Sequence, residues 1–203
     1  MLFRSKTFIR LFWIPYLTII GISAFGGYQV ATNGPWFEFF YDIGRKFGQL
    51  ALILLGVVVI PGILGRFKVE IKITRVVTLF RRQLGDMVFL LAYAHFMILR
   101  GASRIFGVVP FQTPYPVFEA IGILALTLLF PLFLTSNNWS VRVMGAWWKR
   151  LHRLIYVILW LVVIHTGLQR ISVWTVLIGF FAILEVVSLV YDRWRKKSIQ
   201  ANN

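Results

Sequence analysis

His95, His152 and His165 are the only histidines in this 203-residue chain, and each sits in or beside a strongly apolar run. An imidazole inside lipid is costly without a partner, and such residues mark functional sites by default. Two chemistries fit. One is a structural hydrogen bond to a backbone carbonyl of a neighbouring helix. The other is metal ligation, favoured here because all three histidines fall on two apolar segments. Zinc normally takes three or four protein ligands, and hard cations take carboxylates. No carboxylate stands near these histidines in sequence. Haem needs one or two axial imidazoles and an apolar slot between helices, so haem is the expected group.

The elements that must position these residues are membrane helices. The chain is 59% hydrophobic, well above a soluble domain. A spanning helix needs about 20 mostly apolar residues. Six runs qualify, near 11–30, 47–64, 86–106, 117–136, 152–170 and 173–192. They predict an all-α, polytopic six-helix bundle forming one transmembrane domain over 1–203. The N-terminal run lacks a small-x-small cleavage pattern and reads as a retained first helix, kinked at Pro15. The aromatic stretch 33–48 reads as an outer interfacial segment. Around Val69, Ile71 and Ile73, alternation with Glu70, Lys72 and Thr74 fits a short strand and an amphipathic surface helix equally.

The formal net charge is +15. The basic residues punctuate the apolar runs instead of clustering as a nucleic-acid patch, so no nucleic-acid partner is expected. Of the 22 Lys and Arg, 17 fall in stretches on one side of the membrane when the spans are threaded. They are Arg4, Lys6, Arg10, Arg66, Lys68, Lys72, Arg75, Arg81, Arg82, Arg142, Lys149, Arg150, Arg153, Arg193, Arg195, Lys196 and Lys197. Arg45, Lys46, Arg100, Arg104 and Arg170 fall on the other. The positive-inside rule places both termini in the cytoplasm, with part of the charge available to anionic lipid. Trp139, Trp147 and Trp148 read as inner interface anchors. The sequence has no cysteine, which removes disulfides, thiolate haem ligation and iron–sulfur clusters.

Depth separates the histidines. His152 and His165 are thirteen residues apart, about 20 Å along a helix and about 140° apart in azimuth. They therefore address opposite leaflets and do not share one pocket. His95 lies ten residues beyond Gly85 at the inner end of its span, a level matching His165, so His95 and His165 pair across one haem. His152 serves a second haem near the cytoplasmic face, with Met87, Met144, water or nothing as sixth ligand. Its simpler reading is an interfacial histidine among Lys149, Arg150 and Arg153. Arg81, within about 40° of the His95 face, and Arg82 are expected to pair with propionates.

Two stretches carry a resemblance. "LTSNNWSVRVMGAWWKRLHRLIYVILWLVVIHTGLQ", Leu134 to Gln169, and "RRQLGDMVFLLAYAHF", Arg81 to Phe96, resemble the ferric reductase-like transmembrane domain. Within it they are most similar to the haem-binding subunits of bacterial protein-methionine-sulfoxide reductase systems. The likeness covers about 47–190. It implies a b-type haem protein of the inner membrane, with His95, His152 and His165 haem-associated. It further implies electrons from a cytoplasmic flavin reductase or the quinol pool, passed to a periplasmic molybdenum-containing reductase. FMN or a quinone is a further candidate cofactor. The NADPH oxidases and ferric reductases are more distant and usually carry four histidines here. Arg81 stands where a fourth would be expected, which puts a bis-histidine inner haem in doubt.

Glu185 is the one carboxylate well inside an apolar run. It reads as a proton acceptor at a quinol site or, with slight preference, as the partner of a basic group such as Arg153. Trp160, Tyr93 and Tyr156 read first as packing residues. The readings that compete with an electron-transfer subunit are a metal-reductase subunit and a haem-free transporter or scaffold with structural histidines.

Overall fold

The computed structural model describes residues 12–69, 71–110 and 113–201. Arg4, Lys6, Arg10 and Glu70 lie outside the described residues. Among those described, helices joined by short connections make up the chain and no strand forms, as the apolar runs predict.

Helix α1 spans Trp13–Ala31. Pro15 falls in its first turn, where a missing N–H removes no intrahelical bond. Helix α2, Phe37–Arg66, takes in the aromatic stretch expected to lie along the interface. Its 30 residues make about 45 Å of helix, longer than the roughly 30 Å hydrocarbon core. The helix is therefore long enough to span with length to spare. Helix α3, Lys72–Phe96, begins well before the predicted span. No strand forms at Val69 or Ile71, and from Lys72 through Ile73 and Thr74 onward the chain is helix. A lone strand beside lipid leaves its backbone unpaired, whereas a helix satisfies itself. A π-helical turn, Met97–Gly101, follows without a break and leads into Ala102–Ile105.

Helix α4 is Val117–Leu134. Helix α5, Asn138–Met144, is capped by the Asn137 side chain, which accepts from the Ser140 amide at 2.8 Å; such a cap satisfies one of the orphan N–H groups of the first turn. Helix α6, Ala146–Leu151, and helix α7, Leu154–Gln169, are separated by a short break at His152 and Arg153. Helix α8 is Val173–Ala201. Among the described residues six helical stretches are long and apolar enough to cross a membrane, with α3 to Ile105 counting as one and α6 with α7 as another. The protein is a multi-pass membrane protein.

The chain divides into two compact units, residues 1–51 with 86–116 and residues 52–85 with 117–203. In the first, Val30, Phe40 and Ile98 form a buried cluster, with Ile22, Phe37 and Phe47 against it. Helix α1 packs there on the π turn. In the second, α7 packs between α4 and α8, and Ile158, Leu159, Ile178 and Ala182 are fully buried. On the same helices Ile164, Leu168, Val176, Phe180 and Ile183 are exposed. Bare apolar side chains in this number belong against lipid.

Candidate functional site

The three histidines are held in two different ways. His95, half-buried near the end of α3, places Nδ1 2.9 Å from the carbonyl oxygen of Gly44 on α2. A carbonyl only accepts, so Nδ1 carries the proton and donates it. In a neutral ring the lone pair then lies on Nε2.

His165, on α7 in the other unit, repeats the arrangement. Its Nδ1 donates to the carbonyl of Phe118 on α4 at 2.6 Å. The Phe118 ring lies alongside, centroids 6.0 Å apart. The tautomer is the same as that of His95, again with the lone pair on Nε2. A ring nitrogen tied to a backbone carbonyl is the usual outer support of a metal-ligating histidine, since it fixes ring orientation and raises ligand basicity.

His152 is held through its other nitrogen. It sits at the break between α6 and α7, and its Nε2 is 3.1 Å from the Thr135 hydroxyl. That hydroxyl donates its single proton to the Pro131 carbonyl at 2.6 Å, so it accepts from His152 and the proton lies on Nε2. Trp148 completes the cluster. Its ring stacks on the imidazole with centroids 4.0 Å apart, and its Nε1 donates to the Thr135 carbonyl at 2.9 Å. Trp139 and Trp147 are exposed, whereas Trp148 is half-buried.

Arg81 and Arg82 are exposed on the N-terminal half of α3. Arg82 donates to the Asn138 side chain at 2.9 Å. Met144 ends α5, and Met87 lies on α3.

Glu185 pairs with Arg66, at the end of α2, and not with Arg153. Arg66 also donates to Ser188 at 2.8 Å and reaches the Tyr156 hydroxyl at 3.5 Å. Glu185 and Ser188 are buried. The correction has a simple cause: Arg66 caps a helix that packs where Glu185 faces, and sequence distance carries no sign of that. Among the described residues no three His, Cys, Asp or Glu side chains converge. The donor set assembles neither a zinc nor a calcium cage. It offers single imidazoles, pre-oriented, on apolar helices.

The model of the ferric reductase like transmembrane component family matches residues 47–163. Among curated proteins, the chain is 33% identical over 150 residues to the protein-methionine-sulfoxide reductase heme-binding subunit MsrQ of Agrobacterium fabrum, covering 72% of this chain and 66% of that protein. It is 44% identical over 81 residues to the protein of the same name from Brucella anthropi, covering 38% and 36%. With that of Brucella ovis the identity is 41% over 81 residues, with the same coverage. The matched region is thus just under two thirds of the first relative's length and about a third of the other two. No solved structure matches the chain.

Proposed function

The chain belongs to the ferric reductase-like transmembrane family, and from that premise we propose that it is a b-type haem protein carrying electrons across the bacterial inner membrane. The observation that carries this reading is the shared seating of His95 and His165, each with Nδ1 committed to a backbone carbonyl. This leaves Nε2 as the basic nitrogen of each, the donor an axial haem ligand must supply. Bound haem supplies one-electron exchange between ferric and ferrous iron, without bond-making on a substrate.

The residues of the chain do the rest. His95 and His165 present their imidazoles in fixed orientation. His152 belongs to a second haem station in the inner leaflet, where ligation through Nε2 requires giving up the Thr135 hydroxyl. Arg81 and Arg82 offer the propionates positive charge on the N-terminal half of α3. The apolar helices exclude water, which lowers the local dielectric around each iron.

Both termini are cytoplasmic in this reading, so His152 faces the side of the donor and His165 the side of the acceptor. The donor is a cytoplasmic flavin reductase or a quinol, with FMN or a quinone as carrier. The acceptor is an extracytoplasmic methionine-sulfoxide reductase of the molybdenum type, a partner suggested by the names of the relatives. The optical spectrum of the purified protein tests the core of this. A Soret band, with low-spin features lost in His95→Ala and His165→Ala, is the expected result. No Soret band after reconstitution with haem sinks the proposal.

A further inference from the structure

In an α-helix the Cα–Cβ bond tilts toward the N-terminus, so the side chain at position i+4 lies over the carbonyl at position i. That carbonyl already accepts the amide of i+4 and has a second lone pair. A side chain from another helix reaches the second lone pair only where the cover is missing. Glycine four residues on is the residue that removes it.

Both seated histidines meet this condition. Gly44 accepts from His95, and Gly48 follows four residues later. A Cβ on Gly48 would stand 2.7 Å from His95 Nδ1 and 2.9 Å from Cε1. Phe118 accepts from His165, and Gly122 follows four residues later. A Cβ on Gly122 would stand 2.7 Å from His165 Nδ1 and 2.8 Å from Cε1. Contacts this short cannot be kept, so an added methyl would push each ring off its carbonyl. The same three-part device, carbonyl, glycine one turn on and imidazole, thus occurs once in each compact unit. His152 has no such seat, since its partner is a hydroxyl.

We propose that Gly48 and Gly122 are positioning residues for the two haem-ligating imidazoles, and that through the Nδ1–carbonyl bonds they hold the reduction potential of the bound iron down. A bonded Nδ1–H makes the ring a stronger donor through Nε2, and stronger donation favours the ferric state. The inference rests on the haem reading above, and its test separates the two.

The test uses the full chain, purified with its haem, as Gly48→Ala and Gly122→Ala. Gly21→Ala and Gly179→Ala are the controls, because an added Cβ meets nothing within 4 Å at either place. Optical redox titration should show each seat variant raised by about tenfold in its reduction equilibrium, ~59 mV for one electron, or lacking haem altogether. The controls should titrate with the parent. Seat variants that titrate with the controls overturn the proposal while leaving the haem reading intact. A parent that binds no haem overturns the haem reading instead. Should a seat variant fail to accumulate, nitrogen-15 histidine spectra of the haem-free parent decide. Two Nδ1-protonated rings and one Nε2-protonated ring support the seats; any other count overturns them.

Discussion

Thr135 accepts the Nε2 proton of His152 at 3.1 Å while giving its own proton to Pro131. The hydroxyl's single proton is therefore committed, and it fixes a tautomer in His152 opposite to that of His95 and His165. Thr135→Val, which keeps the shape and removes the acceptor, should cost about 1–3 kcal/mol. Thr135→Ser should stay near the parent. Thermal unfolding of the haem-free protein in detergent measures both. Equal stability of the valine and serine variants would show that the bond is not formed.

His152 and His165 should also differ as ligands. His152→Ala is expected to lower the haem-to-protein ratio and leave the main low-spin band in place. His165→Ala should abolish or convert that band. Haem assay and spectra on one set of preparations check both, and a low-spin band lost from His152→Ala alone would invert the assignment.

The Arg66–Glu185 pair is buried on one side, with side-chain exposures of 17% and 3%. Breaking such a pair strands a charge and costs about 3–5 kcal/mol. Arg66→Met should therefore be strongly destabilising, and Arg66→Met with Glu185→Leu should recover most of the loss. A melting series across the four proteins of this cycle reads the coupling. Additive losses would mean that the two side chains do not act as a pair.

Arg104 is 7% exposed despite its charge. It donates to the carbonyls of Pro110 and Thr113 at 3.0 and 2.7 Å, and its guanidinium lies 3.8 Å over the Tyr115 ring. Lysine cannot supply a planar fork that bonds and stacks at once. Arg104→Lys should speed hydrogen exchange and proteolysis in the segment 107–116, with α4 unaffected. An unchanged cleavage pattern would argue against the clamp.

The cysteine-free sequence is a ready background for mapping topology. Ser198→Cys, near the end of α8, should react with a membrane-impermeant thiol reagent only from the cytoplasmic side. Ser172→Cys, between α7 and α8, should react only from outside. The reverse pattern would overturn the proposed direction of electron flow.

The apolar runs mark all six spans, but three of them stop near the charged stretches 37–46, 72–85 and 193–201. The structure runs on through 37–46, 72–85 and 193–201. Hydropathy ends at the edge of the hydrocarbon, whereas a helical backbone has no reason to, because long Lys and Arg side chains carry their charge to the headgroups. The histidines were legible as candidates from residue type and surroundings. Their seats were not, because Gly48 and Gly122 gain meaning only from a ring on another helix. The sequence also posed a carbonyl bond and metal ligation as alternatives. An imidazole has two nitrogens, and at His95 and His165 the carbonyl bond occupies Nδ1, which places the lone pair of a neutral ring on Nε2. Glu185 does pair with a basic group, but which one was hidden for the same reason as the seats: Arg66 is distant along the chain.

The π-helical turn at Met97–Gly101 begins two residues after His95. A π turn holds one residue more than an α turn would need. That surplus is slack in the numbering of the helix. A one-residue deletion within 97–101 could be absorbed by tightening this turn, with His95 still over Gly44 on one side and Arg104 still under its loop on the other. A deletion anywhere in 88–94 has no such reserve and would rotate the histidine about 100° off its carbonyl. Length variation in this helix is therefore cheap at one place only, and in a library of single-codon deletions the survivors between 88 and 105 should collect at that turn.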